Sequence, residues 1–203
     1  MKKYVVLAGN IGAGKTTLVR MMCERLGWKP YFEPVVENPY LEDFYRDMGR
    51  WAFSSQVFFL THRVRSHRAL MDDPWSVVQD RCLYEDAEVF AAHLAERGLF
   101  PPREYETYLT LYRTIHDVLP PPKLLIYLKS SVRTQRRRIA LRGRPMECGL
   151  DPAYLRGLNR LYREWIGRWR ASPVLVLDAD RLDFVADLAH QADTLTTLRR
   201  HLA

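Results

Sequence analysis

The stretch GNIGAGKTT, residues 9–17, decides the fold of this 203-residue chain. It carries the full pattern GxxxxGK[ST], in which glycines let backbone N–H groups approach phosphate oxygens and a lysine adds positive charge. The apolar run KYVVLA (3–8) comes directly before it, and a helical pattern from Lys15 to Leu26 follows. Because this pattern requires a strand on one side and a helix on the other, residues 9–17 are predicted to form a phosphate-binding loop.

Positions in this phosphate loop have separate expected contacts with ATP. Lys15 supplies charge to the β and γ phosphates, Thr16 is placed to ligate Mg²⁺, and the start of the following helix adds partial positive charge. The residues expected to bind ATP here are Gly9, Asn10, Ile11, Gly12, Ala13, Gly14, Lys15, Thr16 and Thr17. Since the loop serves kinases, GTPases and motors alike, it leaves the acceptor open. A GTPase is disfavoured because the sequence has no guanine-reading NKxD.

Short apolar segments alternate with longer helical patterns along the chain. The expected strands lie at about 3–8, 30–33, 75–79, 123–128 and 173–177. The expected helices lie at about 15–26, 51–70, 83–98, 104–118, 153–170 and 184–200. This alternation predicts an α/β fold with a five-stranded parallel sheet covered by helices on both faces. With no internal repeat or linker, residues 1–203 are expected to form a single domain.

Charge and composition exclude several classes of protein. The net charge is +7, yet residues 129–144 hold seven Lys and Arg and no acid, so basic and acidic residues balance elsewhere. Such a local surplus suits phosphate binding better than a nucleic-acid groove, although a basic ATP-dependent nucleic-acid protein remains an alternative. No apolar run approaches a membrane span. The three cysteines show no CxxC spacing, which favours the reducing cytoplasm over a disulfide framework or a zinc site.

Further motifs in one register resemble the deoxynucleoside kinase family, most closely its bacterial deoxyadenosine/deoxyguanosine kinase branch. They are FEPV (32–35), NPYLEDFY (38–45), RWAFSSQ (50–56), DRCLYEDAEVFA (80–91), RIALRGRPME (138–147) and LDAD (177–180). The resemblance implies a P-loop kinase fold with a small arginine-rich lid at about 136–150. It also implies transfer of a phosphoryl group from ATP–Mg²⁺ to a deoxynucleoside 5′-hydroxyl, for nucleotide salvage in the cytoplasm, by a homodimer formed through the helices at 51–70 and 83–98.

By this resemblance, Glu33 is the general base that accepts the proton of the 5′-hydroxyl. Its place at the end of the second strand agrees, because ligands of open α/β sheets bind at the carboxyl ends of strands. Arg81 is expected to hold that carboxylate and contact the transferred phosphoryl group, and Lys15 to assist. Asp80 is expected to bind Mg²⁺ with Thr16, directly or through water.

The acceptor base is expected to lie between two helices. By resemblance, Gln56 pairs with the hydrogen-bonding edge of the base, Arg63 and Asp86 form a coupled polar pair beside it, and Phe90 stacks on it. The spacing agrees, since residues seven or four apart share a helical face. The presence of both Arg63 and Asp86 resembles kinases for purine deoxynucleosides or deoxycytidine rather than for thymidine.

The resemblance also assigns the sugar and the lid. Tyr45 and Glu147 correspond to positions that hydrogen-bond the 3′-hydroxyl. Arg138, Arg142 and Arg144 correspond to lid arginines that stabilise charge on the phosphate oxygens of ATP. Asp183 and Phe184 lie in the segment expected to touch the adenine of ATP.

One alternative acceptor stays open at this point. A thymidylate-type nucleoside monophosphate kinase shares the phosphate loop, an EP pair and a DR pair. Such enzymes need an arginine beside the EP pair to hold the phosphate of the acceptor. Here Phe32 precedes Glu33, which favours an uncharged nucleoside.

Overall fold

Five parallel strands form the centre of the molecule. The computed structural model describes residues 2–32, 38–147, 149–182 and 187–202. The strands are β1 (Tyr4–Ala8), β2 (Lys29–Tyr31), β3 (Val77–Asp80), β4 (Leu124–Lys129) and β5 (Val174–Asp178). Their order across the sheet is β2-β3-β1-β4-β5, and every neighbouring pair is parallel. The predicted five-stranded parallel sheet is therefore confirmed.

Helices connect the strands. They are α1 (Lys15–Leu26), α2 (Leu41–Arg46), α3 (Met48–Asp72), α4 (Leu83–Glu85), α5 (Ala92–Glu96), α6 (Pro102–His116), α7 (Val132–Arg142), α8 (Pro152–Arg168) and α9 (Leu188–Leu202). A π-helical stretch, Asp86–Ala91, joins α4 to α5, and a 3₁₀ turn spans Pro145–Glu147. Within the described ranges, none of these helices has the length and hydropathy needed to cross a bilayer.

The sheet is apolar on both faces because helices cover both. Along β1, Tyr4, Val6 and Ala8 join the core on the side of α3, α6 and α8. Val5 and Leu7 point to the other side and pack with α1 and α9. All residues of β1 are buried, which explains why this strand shows a continuous apolar run instead of alternation.

The topology places the loops after β1 and β3 side by side. The register pairs Leu7 of β1 with Asp80 of β3, so the phosphate loop and the segment after Asp80 leave the sheet at the same edge. The Arg81 N–H donates to the carbonyl oxygen of Leu7 at 3.0 Å and fixes this alignment. Parallel strands thus bring together two motifs that are about 70 residues apart in the sequence.

Candidate active site

A cleft of about 1150 Å³ opens at this edge of the sheet. The predicted site residues that line it are Ile11, Gly12, Ala13, Gly14, Lys15, Thr16, Thr17, Tyr45, Gln56, Asp80, Arg81, Asp86, Phe90, Arg138, Arg142, Arg144 and Glu147. Gly9, Asn10 and Arg63 do not line the cleft, and Asn10 and Arg63 are buried beside it. The predicted residues Glu33, Asp183 and Phe184 lie outside the described residues.

The phosphate loop has the geometry of an anion cradle. Gly14 caps α1 with a φ of 100°, a left-handed conformation that a residue with a side chain rarely adopts. Lys15 begins α1 and its ammonium group folds back on the loop, donating to the carbonyl oxygens of Gly9 at 2.6 Å and Asn10 at 3.1 Å. The helix N-terminus and the ammonium group therefore direct positive charge to the same place.

Thr16 and Asp80 meet across the strands. The Thr16 hydroxyl donates to Asp80 Oδ2 at 2.6 Å, while Oδ1 of this buried carboxylate has no hydrogen-bond partner among the described residues. A buried carboxylate oxygen without a partner is unfavourable unless a cation or water completes the site. Mg²⁺ in phosphoryl-transfer sites commonly takes one or two protein oxygens, with phosphates and waters completing its shell. This pair fits such an ion.

Arg81 turns sharply out of β3. Its φ of 68° makes it the one described residue other than glycine in the left-handed region, a conformation that costs roughly 1–3 kcal/mol. The turn places the guanidinium group over the Phe90 ring, 4.3 Å from the ring centre, where the cation and the aromatic face attract. A strained backbone that carries a cation into a cleft is typical of a functional position.

An ion pair closes one side of the cleft. Arg63 Nε donates to Asp86 Oδ2 at 2.9 Å, and both side chains are almost fully buried. Arg63 comes from α3 and Asp86 from the π-helical stretch, so the pair joins two helices in the predicted way. Beside it, the buried Gln56 Oε1 accepts no hydrogen bond from the part of the chain that the structure describes. The cleft therefore offers a fixed carboxylate, an aromatic ring at Phe90 and an amide with an unused acceptor.

The lid arginines have a neighbour that the sequence did not indicate. Both Arg142 and Arg144 donate to the buried carboxylate of Glu147, Arg144 at 3.2 Å. Glu147 was expected to hydrogen-bond the 3′-hydroxyl of the acceptor, together with Tyr45. Both residues line the cleft, where they could reach a bound sugar. The contact with the 3′-hydroxyl stays a prediction, and the observed partners of Glu147 are Arg142 and Arg144.

Glu85 is a further buried acid of the site. Its Oε1 accepts from the Gly9 N–H at 3.2 Å and from the Tyr162 hydroxyl at 2.6 Å, and its Oε2 accepts from the Cys82 N–H. Burial raises the pKa of the Glu85 carboxyl, and the positive charges of Arg81 and Lys15 oppose that shift. In the sequence Glu85 is one of three acids in the segment 83–94, and nothing in its spacing distinguishes it from Asp86 and Glu88.

A phosphate loop, a strand-end Asp-Arg pair and arginines on a nearby helix define a P-loop kinase. The model of the family described as deoxynucleoside kinase matches residues 5–203. The chain belongs to the deoxynucleoside kinase family and is a phosphotransferase. It acts on a nucleoside 5′-hydroxyl, and the comparisons give no support to the thymidylate-type alternative.

Known proteins and solved structures are similar to this chain over most of their own length. The deoxyadenosine/deoxycytidine kinase of Bacillus subtilis is 36% identical over 90% of this chain and 85% of that protein. The deoxyguanosine kinase of Lactobacillus johnsonii is 35% identical over 96% of this chain and 90% of that protein. A structure of deoxyadenosine kinase from M. mycoides with dCMP and dCDP bound has a TM-score of 0.87 and 29% identity, and covers 97% of this chain and 99% of that one. These relatives are named for different bases.

Proposed function

We propose that this protein transfers the γ-phosphoryl group of ATP to the 5′-hydroxyl of deoxyadenosine, deoxyguanosine or deoxycytidine in preference to thymidine. The observation that carries the proposal is the buried Arg63–Asp86 ion pair, whose carboxylate lines the cleft together with Gln56. A carboxamide pairs in a bidentate way with an amino group and an adjacent ring nitrogen, which adenine and cytosine present. Thymine also offers an N3–H donor and a carbonyl oxygen to a carboxamide, so Gln56 alone does not exclude it. The Asp86 carboxylate, held by Arg63 at the cleft, can accept from an exocyclic amino group, which adenine, guanine and cytosine have and thymine lacks.

The proposed mechanism depends on positioning and charge. Glu33 orients the 5′-hydroxyl and accepts its proton, since a carboxylate within hydrogen-bond reach can serve as the base. Lys15 and Arg81 stabilise negative charge on the transferred group from two sides, while Arg138 approaches from α7. The fixed geometry of the phosphate loop supports in-line transfer. The two substrates lose their translational and rotational entropy when they bind, so the chemical step itself does not have to bring them together.

Thr16 and Asp80 are the proposed magnesium ligands. The ion, when bound, would neutralise charge on the β and γ phosphate oxygens. Support for this role comes from the unpartnered Asp80 Oδ1 and from the hydroxyl that lies 2.6 Å from Oδ2. No third protein ligand is required, since phosphates and waters complete such shells.

The lining of the cleft at Phe32 agrees with an acceptor nucleoside that has no phosphate of its own. Phe32 lines the cleft immediately before Glu33 and supplies an aromatic surface where a monophosphate would need a cation. Arg20, which also lines the cleft, has its guanidinium carbon 5.7 Å from the centre of the Phe32 ring. This contact occupies one face of Phe32 with a stacked cation.

We also propose a homodimer in the cytoplasm. The sequence predicted a dimer contact through the helices at 51–70 and 83–98, and the structure favours only the first of them. The helical segment 83–96 is almost entirely covered by its own chain, so it has little surface to share. On α3, by contrast, Phe58 is only partly buried, and its ring lies beside those of Phe59 and His62. We therefore place the proposed dimer contact on α3.

Four deoxynucleosides tested with ATP and Mg²⁺ form the decisive panel. We expect kcat/KM for at least one of deoxyadenosine, deoxyguanosine and deoxycytidine to exceed that for thymidine by about tenfold or more, the factor that one buried hydrogen-bonding group gives. In Asp86→Asn, whose amide N–H can donate to thymine O4, this preference should shrink while ATP affinity stays unchanged. A thymidine preference, or no phosphorylation of any member of the panel, would refute the proposal.

A further inference from the structure

Side-chain amides connect the phosphate loop to the lid helix α7. Asn10 Nδ2 donates to Asn159 Oδ1 at 2.8 Å and to Gln135 Oε1 at 3.3 Å. Gln135 Nε2 donates to the same Asn159 oxygen at 2.8 Å and to the Ser130 hydroxyl at 2.9 Å. Asn10 and Gln135 are almost fully buried. We call Asn10, Gln135 and Asn159 the amide network.

The backbones of the loop and the helix are in direct contact as well. Gly12 has a φ of 74°, and a Cβ there would lie 2.6 Å from the carbonyl oxygen of Gln135. A side chain at Gly12 would therefore push α7 away from the loop. Arg138 adds to this contact, since its guanidinium group donates to the carbonyl oxygens of Ala13 at 2.5 Å and Ala179 at 3.0 Å.

The last turn of α7 is held differently. Gly143 ends the helix with a φ of 65°, and there is open space where its Cβ would be. Arg142 and Arg144 both donate to Glu147, which belongs to the 3₁₀ turn that follows, and their side chains are about one-third exposed. These contacts stay within the lid segment, unlike those of Gln135 and Arg138, which reach the phosphate loop.

We propose that the amide network fixes the first two turns of α7, residues 132–139, to the phosphate loop, and that lid movement hinges in the last turn of α7, residues 140–143. On this basis Arg138 is a stationary part of the triphosphate site, whereas Arg142 and Arg144 move. Asn10, Gln135 and Asn159 are then positioning residues, which act on ATP by setting the shape of the loop and the place of Arg138. The inference rests on the proposed function, because it assigns the arginines to ATP.

Replacement of Gln135 by methionine keeps its length and removes its hydrogen bonds. In Gln135→Met we expect ATP affinity to fall by about tenfold, the factor of one lost hydrogen bond of ordinary strength, and KM for the deoxynucleoside to change less than about twofold. Gln191→Met makes the same change outside the cleft lining and should leave both values unchanged. Direct titration of ATP binding keeps this result separate from the proposed function, since binding is measurable whether or not a nucleoside is phosphorylated.

Amide hydrogen exchange of the unaltered protein tests the hinge without any variant. Residues 132–139 should be protected equally with and without a non-hydrolysable ATP analogue, whereas residues 141–147 should gain protection when it binds. The proposal is overturned if 132–139 exchange rapidly until the analogue is added. It is equally overturned if Gln135→Met loses thermal stability but binds ATP like the unaltered protein, because the network would then be purely structural.

Discussion

At the scale of single residues, the site combines two cations, Lys15 and Arg81, with the acid Asp80, one oxygen of which lacks a partner among the described residues. Lys15 and Arg81 approach the proposed phosphate position, and the buried Glu85 carboxylate lies near both. Asp80 has one oxygen bonded to Thr16 and one without a partner. A site of this kind is unfavourable when empty and becomes satisfied when ligands bind, which is the basis of the next prediction.

Replacement of Asp80 tests the proposed metal site. Asp80→Asn keeps the size of the side chain and removes its negative charge, so Mg²⁺ should bind more weakly. We expect turnover to fall by about a hundredfold, the order found when a group that stabilises charge is removed, and the Mg²⁺ concentration at half-maximal rate to rise.

The matched control is Asp178→Asn, at the end of β5 and outside the cleft lining. It should retain the rate and the Mg²⁺ dependence of the unaltered protein. An unchanged Mg²⁺ dependence in Asp80→Asn would exclude this carboxylate as a ligand.

Glu33 carries the proposed base function. Glu33→Gln cannot accept a proton, so kcat should fall by at least about a hundredfold while ATP binding stays nearly intact. Glu42→Gln, at an exposed position on α2, is the control and should retain full turnover. Turnover of Glu33→Gln within a few-fold of the unaltered enzyme would remove Glu33 from the mechanism.

At the scale of elements, strong local signals were predictable and long-range contacts were not. The strands begin within two residues of their predicted starts, and α1 spans the predicted Lys15–Leu26, because apolar runs and the glycines at both helix ends are local features. Helix α7 buries only Gln135 and Ile139, so its apolar periodicity is too weak to read. The π-helical stretch and the contacts of Glu85 depend on partners far along the chain.

The same distinction holds for the candidate site. The phosphate loop and the Asp80–Arg81 pair follow from motifs at strand ends. The Arg63–Asp86 pair was predicted from resemblance, and the structure forms it. The Glu147 contacts with the lid arginines and the amide network at Asn10 were missed, because Asn, Gln and Glu are ordinary in loops and helices and carry no spacing signal of their own.

Helix α3 contains a titratable group that makes folding sensitive to acid. His67 is buried with its ring edge-on to Tyr4, and within the described ranges neither ring nitrogen has a hydrogen-bond partner. Burial lowers the pKa of His67 to about 4. The folded chain thus keeps this imidazole neutral, whereas the unfolded chain binds a proton below about pH 6.5.

The free energy of unfolding should therefore decrease as pH falls from about 6.5 towards 4, with His67 contributing at most about 3 kcal/mol. His67→Leu should flatten this part of the profile in urea unfolding measured at several pH values. His201→Leu, at an exposed position on α9, should follow the unaltered protein. Equal pH profiles for His67→Leu and the unaltered protein would contradict this account.

At the scale of the whole molecule, the surface of α3 bears on assembly. If the proposed homodimer forms there, Phe58→Glu should produce monomers, because a carboxylate buried at an interface without a partner costs several kcal/mol. Light scattering coupled to size-exclusion chromatography measures the mass directly. Leu188→Glu changes an exposed apolar residue on α9 in the same way and should remain dimeric. A dimer that survives Phe58→Glu would place the interface elsewhere.

The central claim is that an uncharged deoxynucleoside, rather than its monophosphate, receives the γ-phosphoryl group of ATP. It is tested most directly by following label from γ-labelled ATP into product with each deoxynucleoside and, in parallel, with the matching 5′-monophosphate. The account predicts labelled monophosphate from at least one purine deoxynucleoside or deoxycytidine, and no labelled diphosphate. Labelled diphosphate as the main product, with the nucleosides unchanged, would contradict it.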